Sequence, residues 1–339
     1  MNHRPHALFA MRPGLESKLF DLAALDRLTA LAGIDTALVV NDFTTGPARE
    51  ALARTEVLIS GWDCPPLDAT VLAAAPRLRA VVHAAGSVKH HITQACWDRG
   101  IQVTSAAGAN AVPVAEYTLA TIILANKRVL PIQDRYRSTQ RPHDWMDWCT
   151  LHPEMGNYRR TIGIIGYSQV GRRVVEMLAG LDVDVLVHDP YLDPAEAERE
   201  GITLAPLDDL VAGCDVVSLH APATAETWHL MDRRRLALMK DGATLINTAR
   251  GALVDEGALV DELRSGRIWA VVDVTDPETP PAGSLLYELP NLLLTPHIAG
   301  SLGGELRRIG DHAVDELARY AAGQPFVNPV LPQQLAQIA

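Results

Sequence analysis

Short apolar runs alternate with segments of helical periodicity along most of this chain. In the second half, runs with the length and composition of buried strands lie at residues 161–165, 183–189, 215–220, 243–248, 268–273 and 291–295. Segments with apolar residues at helical spacing separate them, at about residues 170–181, 207–214, 232–240 and 256–266. This alternation predicts an α/β fold in which a parallel sheet is covered by helices on both faces.

A glycine-rich turn follows the first of these strands. The segment Thr161-Ile-Gly-Ile-Ile-Gly-Tyr-Ser-Gln-Val-Gly171 places Gly166 at a tight turn and Gly171 where the next helix packs closely on the sheet. The N-terminus of that helix offers free N–H groups to a pyrophosphate. Asp189 ends the next strand, where an acidic residue binds the ribose of a dinucleotide. The context predicts a dinucleotide site, and the alternative is a glycine turn that only connects strand to helix.

Two residues of this motif affect the expected phosphate contacts and the choice between NAD and NADP. Ser168 stands where the fingerprint has its middle glycine, so we expect the phosphate contacts to shift or to use the hydroxyl. The Asp189 carboxylate accepts hydrogen bonds from the ribose of NAD, whereas it would repel the 2′-phosphate of NADP. Residues 188–193 contain no arginine to offset that repulsion. The prediction is therefore NAD, and the alternative is that Asp189 only caps the turn beside Pro190.

The first hundred residues repeat the strand pattern more weakly and contain no nucleotide fingerprint. Their apolar runs lie at residues 6–10, 36–40, 57–60, 80–84 and 101–104. We therefore predict a substrate-binding (catalytic) domain at residues 1–108 and a dinucleotide-binding domain at residues 109–300. An apolar helix at about residues 111–128 leads into the second domain. A helix at about residues 304–322, ended by Gly323-Gln-Pro325, returns the chain so that residues 301–339 complete the first domain.

Composition and charge narrow the class of protein. Of the 339 residues, 48% are apolar and 21% are charged, which argues against disorder. A net charge of −11 argues against nucleic-acid and anionic-membrane partners. The cysteines lack the spacing of a zinc site or a disulfide framework, and no histidine, including the His90–His91 pair, has a metal-ligand partner at suitable spacing. The N-terminal apolar patch is too short for a signal peptide, and no segment has about eighteen uninterrupted apolar residues. These features predict a cytoplasmic protein without a metal.

Reactive side chains follow successive predicted strands. Arg250 comes after the strand at residues 243–248, Asp273 and Glu278 come at the end of the next, and His297 follows the last. Because an open α/β sheet binds ligands at the carboxyl ends of its strands, we expect these residues to share a site. An arginine holds a carboxylate in a planar fork, a histidine transfers a proton at neutral pH, and a neighbouring carboxylate fixes its tautomer. The set predicts carbonyl reduction by hydride. Taken singly, Arg250 and Glu278 fit solvated surface charges and His297 fits a turn residue.

The chain resembles the D-isomer-specific 2-hydroxyacid dehydrogenase family over nearly its full length. The matching blocks, in family order, are Asn110 with residues 114–119, the fingerprint with Asp189-Pro190, Leu219-His-Ala-Pro222 with Glu226-Thr227, residues 247–255, residues 273–278 and residues 295–300. The resemblance implies an α/β fold of two doubly wound parallel-sheet domains, a Rossmann NAD-binding domain and a flavodoxin-like substrate domain. It also implies an active site in the cleft between them and, usually, a homodimer.

The resemblance further implies roles for individual residues. Arg250, Glu278 and His297 form the catalytic set, and Asp273 contacts the nicotinamide carboxamide. The expected NAD contacts are Gly166, Tyr167, Ser168, Gln169, Val170, Gly171, Asp189, His220, Ala221, Pro222, Thr227, Thr248, Ala249, Asp273, His297 and Gly300.

Two segments bear on the substrate and on assembly. Where the family usually has a G-x-G-x-D-N run, this chain has His83-Ala-Ala-Gly-Ser-Val-Lys-His-His91. The loop can still offer backbone N–H groups to a carboxylate, and Lys89 adds a positive charge. The expected substrate contacts are therefore Ala85, Gly86, Ser87, Val88, Lys89, Arg250 and His297.

The segment from His143 to Cys149 lies where family members place a loop that packs against the partner subunit. Trp145 and Trp148 are thus predicted to lie in an interface, with a pocket wall as the alternative.

Two classes of function fit these features. The first is an NADH-dependent reductase of small 2-oxoacids such as glyoxylate, hydroxypyruvate or a bulkier relative. The second is a dinucleotide-sensing, corepressor-like binding protein, which the fold alone does not separate from the enzyme; the acidic surface favours the enzyme. A phosphoglycerate dehydrogenase-like enzyme also fits, although the sequence ends at Ala339 without the regulatory domain that some members carry. Formate dehydrogenase is disfavoured, because that branch needs no acidic partner for its histidine and Glu278 is present.

Overall fold

The computed structural model describes residues 4–141 and 144–335, and the chain divides into two compact units. The first unit runs to Ala111 and resumes at Ser301, and the second comprises Val112–Gly300. The predicted first domain also included residues 1–3 and 336–339, which lie outside the described residues. The boundary between the units falls within one continuous helix, Ala107–Asn126.

A five-stranded parallel sheet forms the centre of the first unit. Its strands are β1 (Ala7–Ala10), β2 (Val39–Val40), β3 (Val57–Ser60), β4 (Ala80–His83) and β5 (Gln102–Ser105). Their spatial order, β2-β1-β3-β4-β5, is the flavodoxin-like order. Every residue of β1, β3 and β4 is buried, because both faces of the sheet are covered. This is why these strands occur in the sequence as unbroken apolar runs.

Apolar clusters lie on both faces of this sheet. Leu8 and Leu58 pack in one cluster, while their neighbours Phe9 and Ile59 pack in the other, as expected from the alternation of side chains along a strand. The helices of this unit are α1 (Glu16–Leu19), α2 (Leu22–Leu31), α3 (Gly46–Arg54), α4 (Ala69–Ala74), α5 (Gln94–Asp98) and, after the chain returns, α14 (Leu306–Ala321).

A seven-stranded parallel sheet forms the centre of the second unit. Its strands are β6 (Arg160–Ile165), β7 (Val183–His188), β8 (Thr203–Leu204), β9 (Val216–Leu219), β10 (Thr244–Asn247), β11 (Trp269–Val272) and β12 (Leu292–Leu294). Their spatial order is β12-β11-β10-β9-β6-β7-β8. Counted from β6, this is the Rossmann order with one additional strand. The predicted fold class, α/β with two doubly wound parallel sheets, is confirmed.

The helices of the second unit include one that crosses the unit boundary. They are α6 (Ala107–Asn126), α7 (Val129–Thr139), α8 (Trp145–Leu151), α9 (Gln169–Leu178), α10 (Pro194–Arg199), α11 (Leu207–Gly213), α12 (Arg233–Leu238) and α13 (Glu256–Ser265). Within the described residues, α6 is the one helix long and apolar enough to cross a membrane. Core helices of soluble proteins pass the same test, and Ala115 and Ile122 of α6 are fully buried.

Several predicted boundaries differ from the observed ones. The run at residues 36–40 predicted a full strand, but only Val39 and Val40 pair with β1, because Asp35 accepts the N–H of Ala37 and fixes a turn there. Helix α6 begins at Ala107 rather than at about residue 111, and α14 begins at Leu306 after a short 3₁₀ turn. Strand β8 and helices α1 to α5, α7, α8 and α10 were not predicted.

Candidate active site

The glycine turn after β6 leaves no space for side chains. Gly166 has φ +97°, a conformation that favours glycine, and a Cβ there would lie 2.5 Å from the backbone nitrogen of Ala221. A Cβ on Gly171 would overlap the carbonyl oxygen of Gly166. The turn and the loop that carries His220 and Ala221 are therefore packed backbone against backbone. A dinucleotide needs this close approach to the chain.

Ser168 caps the helix that follows the turn. Its φ of −68° requires no glycine, and its Oγ accepts the N–H of Gly171 at 3.4 Å. A serine is one of the preferred residues at this position, because it satisfies an N–H group that has no partner within the helix. The hydroxyl thus stabilises the first turn of α9, where Gln169 and Val170 are the first two helical residues.

The Asp189 carboxylate holds the glycine turn as well as its own loop. Its Oδ2 accepts the N–H of Tyr167 at 2.6 Å, and its Oδ1 accepts the N–H of Tyr191 at 2.8 Å. The second bond is the turn cap that the sequence left as an alternative. Because each carboxylate oxygen has a further lone pair, the cap is compatible with contacts to a ribose.

One arginine near this site was missed in the sequence. The Arg172 guanidinium stacks 4.4 Å from the centre of the Tyr167 ring and pairs with Glu196 at 3.1 Å and Glu200 at 2.8 Å. The Tyr167 hydroxyl donates to Glu200 at 2.8 Å. Burial and this bond raise the pKa of Tyr167 to about 12. The arginine is therefore engaged by two carboxylates rather than available to a phosphate. Residues 188–193 contain no arginine, and no spacing in that segment indicates a contact with α9.

The loop after β9 is fixed by short polar contacts. The Thr227 hydroxyl donates to the Pro222 carbonyl at 2.6 Å and accepts the N–H of Thr224 at 2.8 Å. The His220 ring lies 2.9 Å from the Ser218 hydroxyl, and burial lowers the pKa of His220 to about 3. This imidazole is neutral at physiological pH.

The loop after β10 carries Arg250. The Asn247 side chain donates to the carbonyl of Arg250 at 2.8 Å and accepts the N–H of Ala249 at 3.1 Å, while the Thr248 and Thr118 hydroxyls are 3.1 Å apart. A Cβ on Gly251 would overlap the backbone of the loop after β11. Glycine at this position therefore lets the two loops touch.

Arg250 is itself half-buried, and two opposing effects act on its pKa. Its Nη1 donates to the carbonyl of Ala249 at 2.6 Å. Burial lowers the pKa of Arg250, and the negative charge of Glu278 opposes that shift. The guanidinium and the Glu278 carboxylate are thus close enough to interact electrostatically.

Asp273 organises the loop that carries the histidine. Its carboxylate is buried and accepts the Thr295 hydroxyl at 2.6 Å, the N–H of Ile298 at 2.8 Å and the N–H of Ala299 at 2.9 Å. The Tyr117 hydroxyl extends this network to Thr295 at 3.0 Å. The sequence predicts only a nicotinamide contact for Asp273, and the buried carboxylate has this additional structural role.

His297 and Glu278 form a hydrogen-bonded pair through Nδ1 and Oε1. The imidazole side chain is 47% exposed and the carboxylate 63%, so the second ring nitrogen is accessible. Because a carboxylate accepts from Nδ1–H, the free nitrogen of the neutral ring is Nε2. The Thr275 hydroxyl, which sequence analysis overlooked, donates to the carbonyls of Pro277 at 2.8 Å and Glu278 at 3.0 Å and fixes the loop of the carboxylate.

The predicted substrate loop lies in the first unit, after β4. Within the described residues, the backbone N–H groups of Ala85, Gly86, Ser87 and Val88 donate to no protein acceptor. Ala85 and Val88 are buried and Lys89 is exposed. The loop therefore retains the unpaired N–H groups that a carboxylate needs.

The structure thus brings four predicted residues together at the carboxyl ends of β10 to β12, namely Arg250, Asp273, Glu278 and His297. Gly300 ends the same unit.

Trp145 starts α8 and is 70% exposed, whereas His143 lies outside the described residues. In the part of the chain that the structure describes, no three His, Cys, Asp or Glu side chains are placed to hold a metal ion.

Comparisons with known proteins agree with this geometry. Residues 119–299 match the model of the D-isomer specific 2-hydroxyacid dehydrogenase, NAD binding domain. A D-3-phosphoglycerate dehydrogenase of Mycobacterium bovis is 36% identical over 259 residues, 76% of this chain and 48% of that protein. The chain thus spans about half the length of this relative. A glyoxylate reductase of Thermofilum pendens is 33% identical over 260 residues, 76% of each chain.

One solved structure is similar over most of this chain. D-lactate dehydrogenase from Aquifex aeolicus, complexed with NAD and lactic acid, is 28% identical, with a TM-score of 0.68 and coverage of 94% of this chain and 96% of that one. The motifs, the sheet order and these similarities agree. This chain belongs to the D-isomer specific 2-hydroxyacid dehydrogenase family.

Proposed function

We propose that this protein is an NAD(H)-dependent oxidoreductase that interconverts a small 2-oxoacid and the corresponding D-2-hydroxyacid. The observation that carries the proposal is the His297 imidazole, which is bonded through Nδ1 to Glu278 and exposes its other nitrogen. A histidine held in this way transfers a proton at Nε2 at neutral pH. Family membership supports both the reaction class and the cofactor.

The second unit has features that fit NAD. The turn at Gly166 and Gly171 excludes side chains where a pyrophosphate approaches, and Asp189 at the end of β7 offers oxygens to a ribose. Arg172 is paired with two glutamates, which favours NAD over NADP. The bound nicotinamide supplies or accepts the hydride. The further contacts assigned to it are at residues 167–170, 220–222, 227, 248–249, 273, 297 and 300.

The chain's own residues account for the remaining chemistry. In reduction, Arg250 binds the substrate carboxylate, and His297 donates the Nε2 proton to the carbonyl oxygen. Glu278 stabilises the imidazolium form of His297, and Asp273 holds the loop in place. In the reverse direction, His297 accepts the hydroxyl proton.

The proposal also names a substrate class within the family. The relatives named above are a phosphoglycerate dehydrogenase and a glyoxylate reductase, which differ in whether the substrate carries a phosphate. We assign this chain to small 2-oxoacids such as glyoxylate or hydroxypyruvate, with a phosphoglycerate dehydrogenase-like activity as the alternative. Lys89, exposed within the substrate loop, fits a substrate with a second anionic group in that alternative.

The test is NADH oxidation by the purified chain with 2-oxoacids of graded size, each with and without a terminal phosphate. We expect turnover with at least one small 2-oxoacid. His297→Asn should lower kcat by roughly 10²–10⁴-fold and leave NADH affinity nearly unchanged. His152→Asn, at the end of α8, is the matched control and should change neither. Tight NADH binding without turnover on any substrate would favour the dinucleotide-sensing protein instead.

The proposal extends to a cytoplasmic homodimer. In helices α7 and α8 no described residue is buried, and Tyr136, Trp145 and Met146 are exposed there. A partner subunit on this face would cover them. The cysteines are unpaired, as in a reducing compartment. Trp145→Lys should shift the molar mass measured by light scattering from a dimer to a monomer, while Tyr158→Lys, an exposed aromatic outside these helices, should not. Recovery in the membrane fraction after lysis would contradict the cytoplasmic assignment.

A further inference from the structure

Two adjacent hydroxyl side chains of helix α6 contact two different loops of the second unit. The Tyr117 hydroxyl lies 3.0 Å from the hydroxyl of Thr295, in the loop after β12. The Thr118 hydroxyl lies 3.1 Å from the hydroxyl of Thr248, in the loop after β10. Consecutive residues of a helix point about 100° apart, so neighbouring side chains reach different loops. One helix thus contacts both the loop that carries the imidazole and the loop that carries the guanidinium of the proposed active site.

Packing on the sheet makes α6 a fixed support for these two hydroxyls. Ala115 and Ile122 are fully buried and pack in one apolar cluster with residues of β10 and β11. Thr118 lies on the same face of the helix, because it is three residues after Ala115 and four before Ile122. Thr118 is also fully buried, where a hydroxyl without a partner would destabilise the fold. Its contact with Thr248 satisfies this hydroxyl and ties the loop after β10 to the helix.

The contact of Tyr117 has a defined direction. A threonine hydroxyl has one proton, and Thr295 donates its proton to the Asp273 carboxylate at 2.6 Å. The Thr295 oxygen therefore accepts the hydroxyl proton of Tyr117. The carbonyl oxygen of Thr295 in turn accepts the N–H of His297 at 3.1 Å. The hydrogen bonds that begin at Tyr117 thus end at the backbone of His297.

The loop of Arg250 is connected to α6 in a similar way. Asn247 donates to the carbonyl of Arg250 at 2.8 Å and accepts the N–H of Ala249 at 3.1 Å, so these residues form one compact turn. Thr248 lies within this turn, two residues before Arg250, and its side chain bonds to Thr118. A shift of Thr248 would therefore displace the turn as a whole and the guanidinium with it.

We propose that Tyr117 and Thr118 are positioning residues, of which Tyr117 orients His297 and Thr118 orients Arg250. The inference rests on the proposed function, in which His297 transfers the proton and Arg250 binds the substrate carboxylate. Neither hydroxyl touches a reacting atom. Because the two roles differ, loss of each hydroxyl should change a different kinetic constant. A misplaced proton donor lowers kcat, whereas a misplaced carboxylate-binding group raises KM.

Steady-state kinetics of matched variants test this division. Tyr117→Phe should lower kcat for the 2-oxoacid about three- to tenfold, with KM within about twofold. Thr118→Val should raise KM about three- to tenfold, with kcat within about twofold. Thr118→Ser keeps the hydroxyl and should restore the wild-type KM. Thr121→Val is the control and should change neither constant, because the Thr121 hydroxyl donates to the carbonyl of Thr118 within the helix, at 2.9 Å.

A purely structural role of these hydroxyls predicts a different result. Tyr117→Phe and Thr118→Val would then unfold at lower urea concentration, while the kinetic constants of the folded proteins stayed at their wild-type values. That result, or an equal change of kcat and KM in both variants, would overturn the inference.

Nuclear magnetic resonance separates this inference from the proposed function. Proton–nitrogen spectra of protein labelled at histidine and arginine report on the His297 ring and the Arg250 guanidinium without turnover. We expect Tyr117→Phe to shift the His297 signals and Thr118→Val to shift those of Arg250. Unchanged signals, or a shift of both residues in each variant, would overturn the inference. Absence of 2-oxoacid turnover by the wild type, with the expected shifts present, would instead contradict the proposed function and leave the positioning contacts in place.

Discussion

His297 and Asp273 are joined through the backbone, because the N–H of His297 donates to the carbonyl oxygen of Asp273 at 2.8 Å. The Asp273 carboxylate also accepts the N–H groups of Ile298 and Ala299, at 2.8 and 2.9 Å. His297 has φ +55°, a conformation that non-glycine residues rarely adopt. The buried aspartate therefore holds His297 in a backbone geometry that the surrounding loop would not otherwise favour.

Thr295→Val should weaken this network. The substitution removes the hydroxyl that donates to Asp273 at 2.6 Å and contacts Tyr117 at 3.0 Å, while keeping the shape of the side chain. A hydrogen bond to a charged group contributes about 1.5–3 kcal/mol, so the free energy of unfolding should fall by roughly that amount. Urea titration measures the change, and Thr295→Ser is the matched control that retains the hydroxyl. Equal stability of the two variants would show that the bond contributes nothing.

Glu278→Gln should slow reduction. Reduction requires protonated His297, and the carboxylate stabilises that charged form through the bond at Nδ1. An amide at this position carries no negative charge, so kcat for the 2-oxoacid should fall while NADH affinity stays nearly unchanged. Glu288→Gln, which alters an exposed glutamate of the same unit, should leave kcat unchanged. An unchanged kcat in Glu278→Gln would remove this residue from the proton transfer.

Asp189→Ala should reduce the discrimination between NADH and NADPH. The wild type should prefer NADH, because the carboxylate at the end of β7 repels a 2′-phosphate and Arg172 is held by Glu196 and Glu200. The comparison is kcat/KM for both cofactors in the wild type and the variant. Since Asp189 also accepts the N–H of Tyr167, the variant should use NADH less well too. Equal use of both cofactors by the wild type would contradict the assignment.

Acidification should destabilise the chain through its buried neutral histidines. The pKa of His91 is lowered to about 4 by burial, whereas an unfolded histidine titrates near 6.5. Between these values the unfolded state binds more protons, so the free energy of unfolding decreases as pH falls from about 6.5 to about 4. Replacing His91 by Leu should flatten this dependence by up to about 1.4 kcal/mol per pH unit. Urea titrations across this range measure it, and the exposed His6→Gln should keep the wild-type slope.

Local patterning predicted most of the architecture. Strands buried on both faces, such as β3 and β4, give unbroken apolar runs, and the glycine turn marks the strand-to-helix connection of the nucleotide unit. Arg250, Glu278 and His297 were predicted as site residues because each follows a predicted strand. Their positions at the same edge follow from the parallel arrangement of the strands.

The pattern of apolar and polar residues does not predict contacts between residues that are far apart in the sequence. Arg172 pairs with residues on α10 and just after it, Asp273 with the loop after β12, and Ser60 with two histidines, and no local spacing encodes such contacts. Helices α7 and α8 were missed because they lack a buried face and so have no strong apolar stripe. The helix cap formed by Ser168 was not predicted either, since it depends on where α9 begins.

The stereochemistry of the product tests the proposed reaction. Wild-type protein is incubated with NADH and a 2-oxoacid that gives a chiral product, such as hydroxypyruvate, and the product is separated by chiral chromatography. We expect the D-2-hydroxyacid, formed in an amount equal to the NADH consumed, and its loss in His297→Asn. An L-2-hydroxyacid, or NADH binding without any hydroxyacid product across the panel of 2-oxoacids, would contradict it.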